Sequence, residues 1–488
     1  MSGRAPLLLL CSAAFAGLAF AQAARAQALG PDALRSGTPQ VQGPGDPVVA
    51  PGSRSAIARG QPRRASQSVQ TPALRGSIQR GTGLPKTVVS GLNASEPPPV
   101  PRRRRPVEDD PWAPLGIRFG SLVLKPAVTA SGGYDTNPER KSGFNAKGSF
   151  FQRYDAEIGL QSDWNVHELK GQLRGGYVDY FTNRQASRPD AQGNLDLRLD
   201  IDRDTRLLLE SRAQLDTQRP GSPDLTAAVQ GRPEVWQYGG AAGITRDINR
   251  LQLTLRGAVD RSDYADAQLS SGAILSQKDR NQTQYDLRLR AAYEVTPGIR
   301  PFAEAEIDRR EFDQKVDSNG YMRSSSGLTG RIGSSFELSR QLTGEISGGY
   351  QNRRYEDARL QDLRGFVGDA ALIWSPTPLT TVTLRGSASL GDTTVPGSSG
   401  TTARRATIEI AHALRRNLTV TGFATLGRTE YDGQSLREDL TSLGARLEYK
   451  LTRTFAIRAS FTHERLNSTA TGADYTANVS QVGLRVQF

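Results

Sequence analysis

The chain has 488 residues, of which 36% are apolar and 23% are charged, and its formal net charge is +12. Residues 1–117 hold 14 basic and 6 acidic residues, which leaves 48 basic and 44 acidic residues for 118–488. The positive charge therefore belongs mostly to the N-terminal part and does not indicate nucleic-acid binding. No apolar run of transmembrane length follows residue 20, which excludes a bundle of membrane helices but not alternating membrane strands.

The N-terminus predicts a secretory signal peptide over residues 1–26. Arg4 supplies a short positive region, and an apolar run follows from Ala5 to Phe20. This run is shorter than the roughly 20 residues that cross a bilayer, and the small residues between Ala21 and Ala26 offer cleavage sites. The single cysteine, Cys11, lies inside the run. A chain cleaved after residue 26 would therefore have no thiol chemistry.

Residues 27–117 are rich in proline, glycine, serine and arginine, and they include few large apolar side chains. Such a composition cannot bury enough surface to offset the entropy lost on ordering. We expect a disordered periplasmic arm that is extended where Pro97 to Pro101 precede Arg102 to Arg105. The arm is predicted to be a spacer or, alternatively, to bring these arginines to anionic lipid or to a periplasmic partner.

From residue 118 to residue 488, apolar and polar residues alternate with a period of two. Tyr154, Ala156 and Ile158 fall on one face of a strand, and Asp155 and Glu157 fall on the other. About 18 segments share this pattern, which predicts roughly 16–18 strands. We therefore predict an all-β fold, an antiparallel up-and-down transmembrane barrel.

The connections between these segments are alternately short and long. Tight connections such as 202–205 and 415–417 alternate with longer polar ones such as 217–233 and 391–404. Outer-membrane barrels have short periplasmic turns and long extracellular loops. The alternation therefore predicts a barrel in the cell outer membrane of a Gram-negative bacterium, in contact with lipid and lipopolysaccharide.

Aromatic residues and the C-terminus support a membrane barrel. Aromatic rings with a polar edge prefer the headgroup level, and an interfacial belt is predicted at Trp164, Tyr293, Phe336, Trp374, Tyr449 and Phe488. The last segment alternates and ends in phenylalanine, through Val482, Leu484, Val486 and Phe488. This ending resembles the signal that the barrel-assembly machinery reads, so we expect that machinery to be a partner.

A barrel of about 16–18 strands leaves an aqueous channel. By strand parity, the pore-lining residues are predicted to be Asp155, Glu157, Arg174, Asp196, Arg198, Asp200, Arg256, Asp260, Asp286, Arg288, Arg290, Glu304, Glu306, Arg446, Glu448 and Lys450. Their mixed signs predict weak ion selectivity. The alternative is that these charges pair across strands and hold the shape of the barrel.

Candidate catalytic and metal-binding residues are scarce. The histidines are His167, His412 and His463, and neither a metal-ligand cluster nor a phosphate-binding motif accompanies them. A hydrolase would need one of them beside a nucleophile in a pocket. We predict no enzymatic activity, no cofactor and no metal site.

The end of the first strand carries a local motif, Gly133-Tyr134-Asp135-Thr136-Asn137-Pro138. It resembles the Tyr-Asp-x-Asn stretch of the putative β-barrel porin family of the second type, which is common in α-proteobacteria. The resemblance extends over about residues 119–488 and implies an outer-membrane barrel; some members accompany exopolysaccharide export systems. The arm is not part of the family pattern.

The leading hypothesis is a porin-like passive diffusion channel for small hydrophilic solutes. One alternative is a channel or accessory barrel for exopolysaccharide secretion, which would favour a periplasmic partner for the arm. The other is a structural or adhesive barrel whose loops pack into the lumen and prevent conductance.

Overall fold

The computed structural model describes residues 111–143, 146–225 and 228–488. The predicted signal peptide and nearly all of the predicted arm lie outside these residues. In the part of the chain that is described, 22 strands form two antiparallel sheets, and the helical structure consists of short 3-10 turns such as Arg184–Ala186 and Lys278–Arg280. Among these residues, no helix is long and apolar enough to cross a membrane.

Eighteen long strands make up most of the main sheet. They are β2 (Leu122–Asp135), β3 (Ser149–Ser162), β4 (Glu168–Tyr180), β5 (Arg188–Asp200), β6 (Thr205–Thr217), β8 (Glu234–Ile248), β9 (Leu251–Tyr264), β12 (Gln282–Tyr293), β13 (Ile299–Phe312), β14 (Ser325–Ser339), β15 (Leu342–Tyr355), β16 (Leu363–Thr377), β17 (Thr380–Gly391), β18 (Thr401–Arg415), β19 (Leu418–Tyr431), β20 (Arg437–Lys450), β21 (Phe455–Ser468) and β22 (Tyr475–Gln487).

Four short strands complete the set. The strand β1 (Ile117–Phe119) forms a hairpin with the start of β2. The strands β7 (Val229–Gln230), β10 (Ala267–Leu269) and β11 (Ile274–Leu275) form a separate three-stranded sheet in the loops. None of these short strands is predicted from the sequence, because segments of two or three residues are too short to show a period.

The main sheet closes on itself because its first and last long strands pair. The register of β2 and β22 runs from Ala127 opposite Gln487 to Asp135 opposite Val479. The backbone N–H of Phe488 donates to the carbonyl oxygen of Pro126 at 3.1 Å. Closure leaves the sheet without an unpaired edge, as a membrane requires. The predicted up-and-down barrel of about 18 strands is therefore confirmed.

Side chains alternate between the outer surface of the wall and its interior. In β3, Tyr154 and Ile158 are 52% and 42% exposed, whereas Asp155 and Glu157 are each 7% exposed. Successive side chains of a strand point to opposite faces. The apolar residues therefore cover the outside of the barrel, and the charged residues point inward.

Connections of two to five residues join the strands at one end of the barrel, and connections of five to 17 residues join them at the other. Asn249 and Arg250 alone connect β8 to β9, and Asn249 has a φ of 54°, which asparagine tolerates better than most residues. We number the long connections L1 (136–148), L2 (181–187), L3 (218–233), L4 (265–281), L5 (313–324), L6 (356–362), L7 (392–400), L8 (432–436) and L9 (469–474).

Gly133 lies at the seam between β2 and β22, where a larger residue has no room. A Cβ atom at this position would overlap the carbonyl oxygen of Ser480 and the ring of Phe151. We expect Gly133→Ala to lower the free energy of unfolding by about 1–3 kcal/mol, the usual cost of overpacking.

The neighbouring Gly132→Ala is a matched control, because the nearest atom to its Cβ would be the carbonyl oxygen of Phe151 at 4.0 Å. Urea titrations of both variants, followed by tryptophan fluorescence, measure the difference. Equal midpoints for the two variants would contradict the steric argument.

Candidate functional site

The interior of the barrel wall is lined by charged side chains that pair with one another. Arg288 Nη2 lies 2.6 Å from Glu306 Oε2 on the adjacent strand. Glu157 Oε2 lies 2.7 Å from Arg485 Nη1, although β2 separates their strands. These pairs tie neighbouring and next-nearest strands together around the wall.

Some of these ion pairs reach over one or two intervening strands. Arg290 Nη2 of β12 lies 3.0 Å from Glu345 Oε2 of β15, with β13 and β14 between them. Arg256 Nη2 of β9 lies 2.7 Å from Glu210 Oε2 of β6. Long arginine side chains therefore extend along the interior surface and connect strands that are not adjacent.

Most of the predicted pore-lining residues belong to this network. Those in ion pairs are Asp155, Glu157, Arg174, Arg198, Asp200, Arg256, Asp260, Asp286, Arg288, Arg290, Glu304, Glu306, Arg446 and Glu448. Asp196 accepts a hydrogen bond from Asn194 at 3.0 Å, and the carbonyl oxygen of Lys450 accepts one from Asn417. The pairing supports the structural interpretation of these charges, and their contact with a passing solute stays a prediction.

Several members of the network are not among the residues predicted from the sequence. They are Arg153, Arg212, Glu345, Glu409, Arg458 and Arg485, all paired with interior residues of opposite charge. Each of them faces the interior by the same alternation as the predicted residues, so the alternation in the sequence is the signal that identifies them.

The predicted belt residues lie near the turns at the short-turn end. Tyr293 is the last residue of β12, and Trp374 lies near the end of β16; they are 49% and 46% exposed. Trp164 lies in the turn after β3, and its indole N–H donates to Ser121 Oγ at 2.8 Å. Phe336 lies near the end of β14, Tyr449 lies near the end of β20, and Phe488 directly follows β22. Their placement at a lipid headgroup level stays a prediction.

At the long-loop end, L3 reaches across the opening of the barrel. Asp224 Oδ1 in L3 accepts hydrogen bonds from Thr393 Oγ1 at 2.7 Å and from the backbone N–H of Thr394 at 2.7 Å, both in L7. L3 joins β6 to β8 and L7 joins β17 to β18; between these two pairs, six other long strands lie on one side of the wall and eight on the other. The two loops are therefore rooted almost opposite each other, so their contact spans the mouth.

A second contact anchors L3 to another part of the rim. Arg219 Nη2 lies 3.4 Å from Glu438 Oε1 at the start of β20, and Arg219 Nη1 donates to the carbonyl oxygen of Ala473 in L9 at 3.2 Å. Arg280 in L4 donates to Gln218 Oε1 at 2.9 Å. L3 is therefore held in place at the mouth by side chains from several loops.

The motif at the end of β2, residues 133–138, joins L1 to neighbouring strands at the mouth of the barrel. The carboxylate of Asp135 is fully buried and accepts hydrogen bonds from the backbone N–H of Asn137 at 2.8 Å and from Arg140 Nη1 at 2.7 Å. Asn137 Nδ2 donates to the carbonyl oxygen of Thr476 at 3.0 Å, which joins L1 to the final strand. Burial opposes the charge of Arg140, but the carboxylates of Asp135 and Glu464 raise its pKa above the ordinary arginine value.

The histidines lie apart from one another. His167 Nδ1 accepts a hydrogen bond from the backbone N–H of Asp200 at 3.2 Å, His412 Nδ1 lies 3.0 Å from Thr380 Oγ1, and His463 Nδ1 lies 2.7 Å from Asn478 Oδ1. Within the described ranges, no group of three or more histidine, cysteine, aspartate or glutamate residues could hold a metal ion.

Most of the chain, including the barrel and the motif at the end of β2, matches a known protein family. The family described as Putative beta-barrel porin 2 matches residues 110–488. The chain belongs to this porin family. It is a porin-like channel of the outer membrane, so the short turns lie in the periplasm and the long loops are extracellular. No curated protein matches the chain.

The chain is also similar, at low identity, to several solved structures. Acinetobacter baumannii OccAB4 is 10% identical with a TM-score of 0.37, and the match covers 75% of this chain and 98% of that one. Pseudomonas aeruginosa OpdK, solved with vanillate, is 9% identical with a TM-score of 0.37, covering 75% and 99%. The siderophore receptor PiuA from Acinetobacter baumannii is 7% identical with a TM-score of 0.41, covering 76% and 82%.

Proposed function

We propose that this porin is a passive diffusion channel for small hydrophilic solutes, without enzymatic activity or a cofactor. The observation that carries the proposal is the charged interior of a closed barrel whose outer face is apolar. Charged side chains that face an interior of this width hold water there. Water in turn provides the path for polar solutes.

The pairing of the interior charges gives the expected selectivity. Arginines and carboxylates alternate along the wall and neutralise one another over distances of about 3 Å, as Arg288 and Glu306 do at 2.6 Å. A path lined in this way has no ring of one sign, which is what strong ion selectivity requires. We therefore expect weak discrimination between K⁺ and Cl⁻.

One observation favours the second candidate, a structural or adhesive barrel. The contact between Asp224 and Thr393 places L3 across the mouth, where it would obstruct the passage of large solutes. The exopolysaccharide alternative is not favoured by any particular contact in the described residues.

Conductance in planar lipid bilayers tests the proposal. We expect the purified barrel to insert and to produce stepwise currents whose size scales with the salt concentration. The same preparation, heat-denatured before addition, is the control for contaminating pores. Folded barrel that inserts without conducting would overturn the channel and support the structural barrel.

Two further partners are part of the proposal. We propose that the barrel-assembly machinery recognises the last strand, where Val482, Leu484 and Phe488 are 59%, 46% and 55% exposed on the outer face. Val486 shares that face and is partly exposed. We also propose that the arm over residues 27–117 meets a periplasmic partner. The outer face of the wall is suited to contact lipid and lipopolysaccharide.

A further inference from the structure

Four arginines come together at the extracellular mouth of the barrel, beside the seam between β2 and β22. We call them the mouth arginine cluster: Arg140 in L1, Arg188 at the start of β5, and Arg219 and Arg232 at the two ends of L3. A Cβ atom at Gly231 would lie 3.9 Å from the carbonyl oxygen of Gln185. This approach brings the end of L3 that carries Arg232 next to L2, which leads into Arg188.

Two arginines of the cluster have carboxylate partners. Arg140 Nη1 lies 2.7 Å from Asp135 Oδ2, and Arg140 Nε lies 3.4 Å from Glu464 Oε2. Arg219 lies 3.4 Å from Glu438. All three carboxylates are therefore already engaged by Arg140 and Arg219.

The other two arginines lack a partner among the residues that the structure describes. Neither Arg188 nor Arg232 has a carboxylate or another acceptor within hydrogen-bond distance there. Arg188 is only 5% exposed, and Arg232 Nη2 is buried without a hydrogen bond. Asp190, the acidic residue nearest to Arg188 in sequence, attracts Arg188 from beyond ion-pair distance and is bound by Arg153 Nη2 at 2.8 Å.

Burial and the neighbouring arginines destabilise the positive charge of these two residues. Burial, together with the charges of Arg140 and Arg219, lowers the pKa of Arg232 well below its ordinary value. The tyrosines beside the cluster do not supply a compensating negative charge, because each keeps its proton and donates it in a hydrogen bond to a carboxylate. Tyr180 donates its hydroxyl to Asp135 at 3.2 Å, and Tyr475 donates its hydroxyl to Glu464 at 2.5 Å.

The cluster therefore holds four guanidinium groups against three carboxylates. A buried charge without a partner is costly unless a ligand of opposite charge compensates it. Guanidinium groups bind oxyanions through paired N–H donors, and two of them suit a phosphate, sulfate or carboxylate group. We infer that the mouth arginine cluster binds the oxyanion group of a soluble ligand between Arg188 and Arg232.

This inference goes beyond the proposed channel and does not depend on it. Oxyanion binding changes the stability of the folded barrel, which is measurable without any current. A barrel that does not conduct can still bind phosphate, and a conducting barrel can fail to bind it. The two proposals therefore fail separately.

Thermal unfolding of the purified full-length protein in detergent tests the inference. The midpoint is measured in sodium phosphate and in sodium chloride at equal ionic strength, for the wild type and for Arg188→Gln and Arg232→Gln. We expect phosphate to raise the wild-type midpoint in a saturable manner. The apparent affinity for phosphate should fall at least about tenfold in each variant, because each loses a charge-assisted hydrogen-bond donor.

The variants should also behave differently in the two salts. In chloride, each variant is expected to be at least as stable as the wild type, since an unpaired buried charge has been removed. In saturating phosphate, the wild type should be the more stable protein. Heat-modified mobility on gels shows whether each variant is folded, and Arg188→Lys, which keeps the charge, should retain part of the phosphate response.

Arg354→Gln is the matched control. Arg354 is at the extracellular end of β15, and its side chain is 75% exposed, so its loss should leave the phosphate response unchanged. A wild type that does not respond to phosphate, or an equal response in wild type, Arg188→Gln and Arg232→Gln, would overturn the inference. Stabilisation by lipid A micelles but not by phosphate would overturn the assignment to a soluble ligand.

Discussion

Replacement of Arg140 by methionine is expected to lower the free energy of unfolding by about 3–5 kcal/mol, the cost of leaving buried charges without their partner. Arg140 bridges Asp135 and Glu464, whose side chains are both 0% exposed. Methionine keeps much of the volume and removes the charge. Two carboxylates would then remain in a site that excludes water, and L1 would lose the ion pairs of Arg140 with β2 and β21.

Urea titrations in chloride measure this loss without any contribution from phosphate. Arg354→Met is the control, because an exposed arginine whose nearest carboxylate is 3.8 Å away contributes little to stability. Midpoints that do not differ between Arg140→Met and Arg354→Met would show that the two carboxylates are compensated in another way.

Replacement of Asp224 by alanine is expected to increase the conductance of the channel. Its carboxylate receives hydrogen bonds from Thr393 Oγ1 and from Thr394 N–H, each at 2.7 Å. Hydrogen bonds to a charged group contribute about 1.5–3 kcal/mol. Their loss should shift the equilibrium between joined and separated L3 and L7 at least about tenfold toward separation. A mouth that L3 no longer crosses should carry more current.

Single-channel recordings of the wild type, Asp224→Ala and Thr393→Val measure this effect, and Thr393→Val should give a smaller increase in the same direction. Asp474→Ala is a suitable control, because Asp474 lies in L9 and bonds to the nearby backbone N–H of Ser468 at 2.5 Å. Identical current levels in wild type and Asp224→Ala would mean that L3 does not limit the path.

The parts of the fold that depend on local sequence could be predicted. The period of two in Tyr154 to Ile158 identifies both the strand and the side that each residue faces, because this alternation is a property of the extended backbone. The alternation of shorter and longer connections along the chain identifies the two ends of the barrel. Strand number, topology and the orientation of the interior charges all follow from these two signals.

The contacts between distant segments could not be predicted. Arg290 and Glu345 share a parity with many other charged residues, and only the register of three successive strand pairs brings them to 3.0 Å. The contact between Asp224 and Thr393 joins two polar loops without periodicity. The mouth arginine cluster likewise assembles from L1, β5 and L3. A single sequence contains no signal for such contacts, because they depend on how the barrel closes.

The seam between β2 and β22 also determines the order in which the protein can fold. Asn478 N–H donates to Thr136 Oγ1 at 2.9 Å across 342 residues of sequence. Such distant pairing carries a large loop-closure entropy and slows folding. Until the last strand docks, β2 and the growing sheet present open edges that can pair with other chains. Before closure, the sheet therefore has an unpaired strand edge at each end. These edges can pair with other chains until β22 has docked on β2, so aggregation is prevented only when the last residues of the chain are in place.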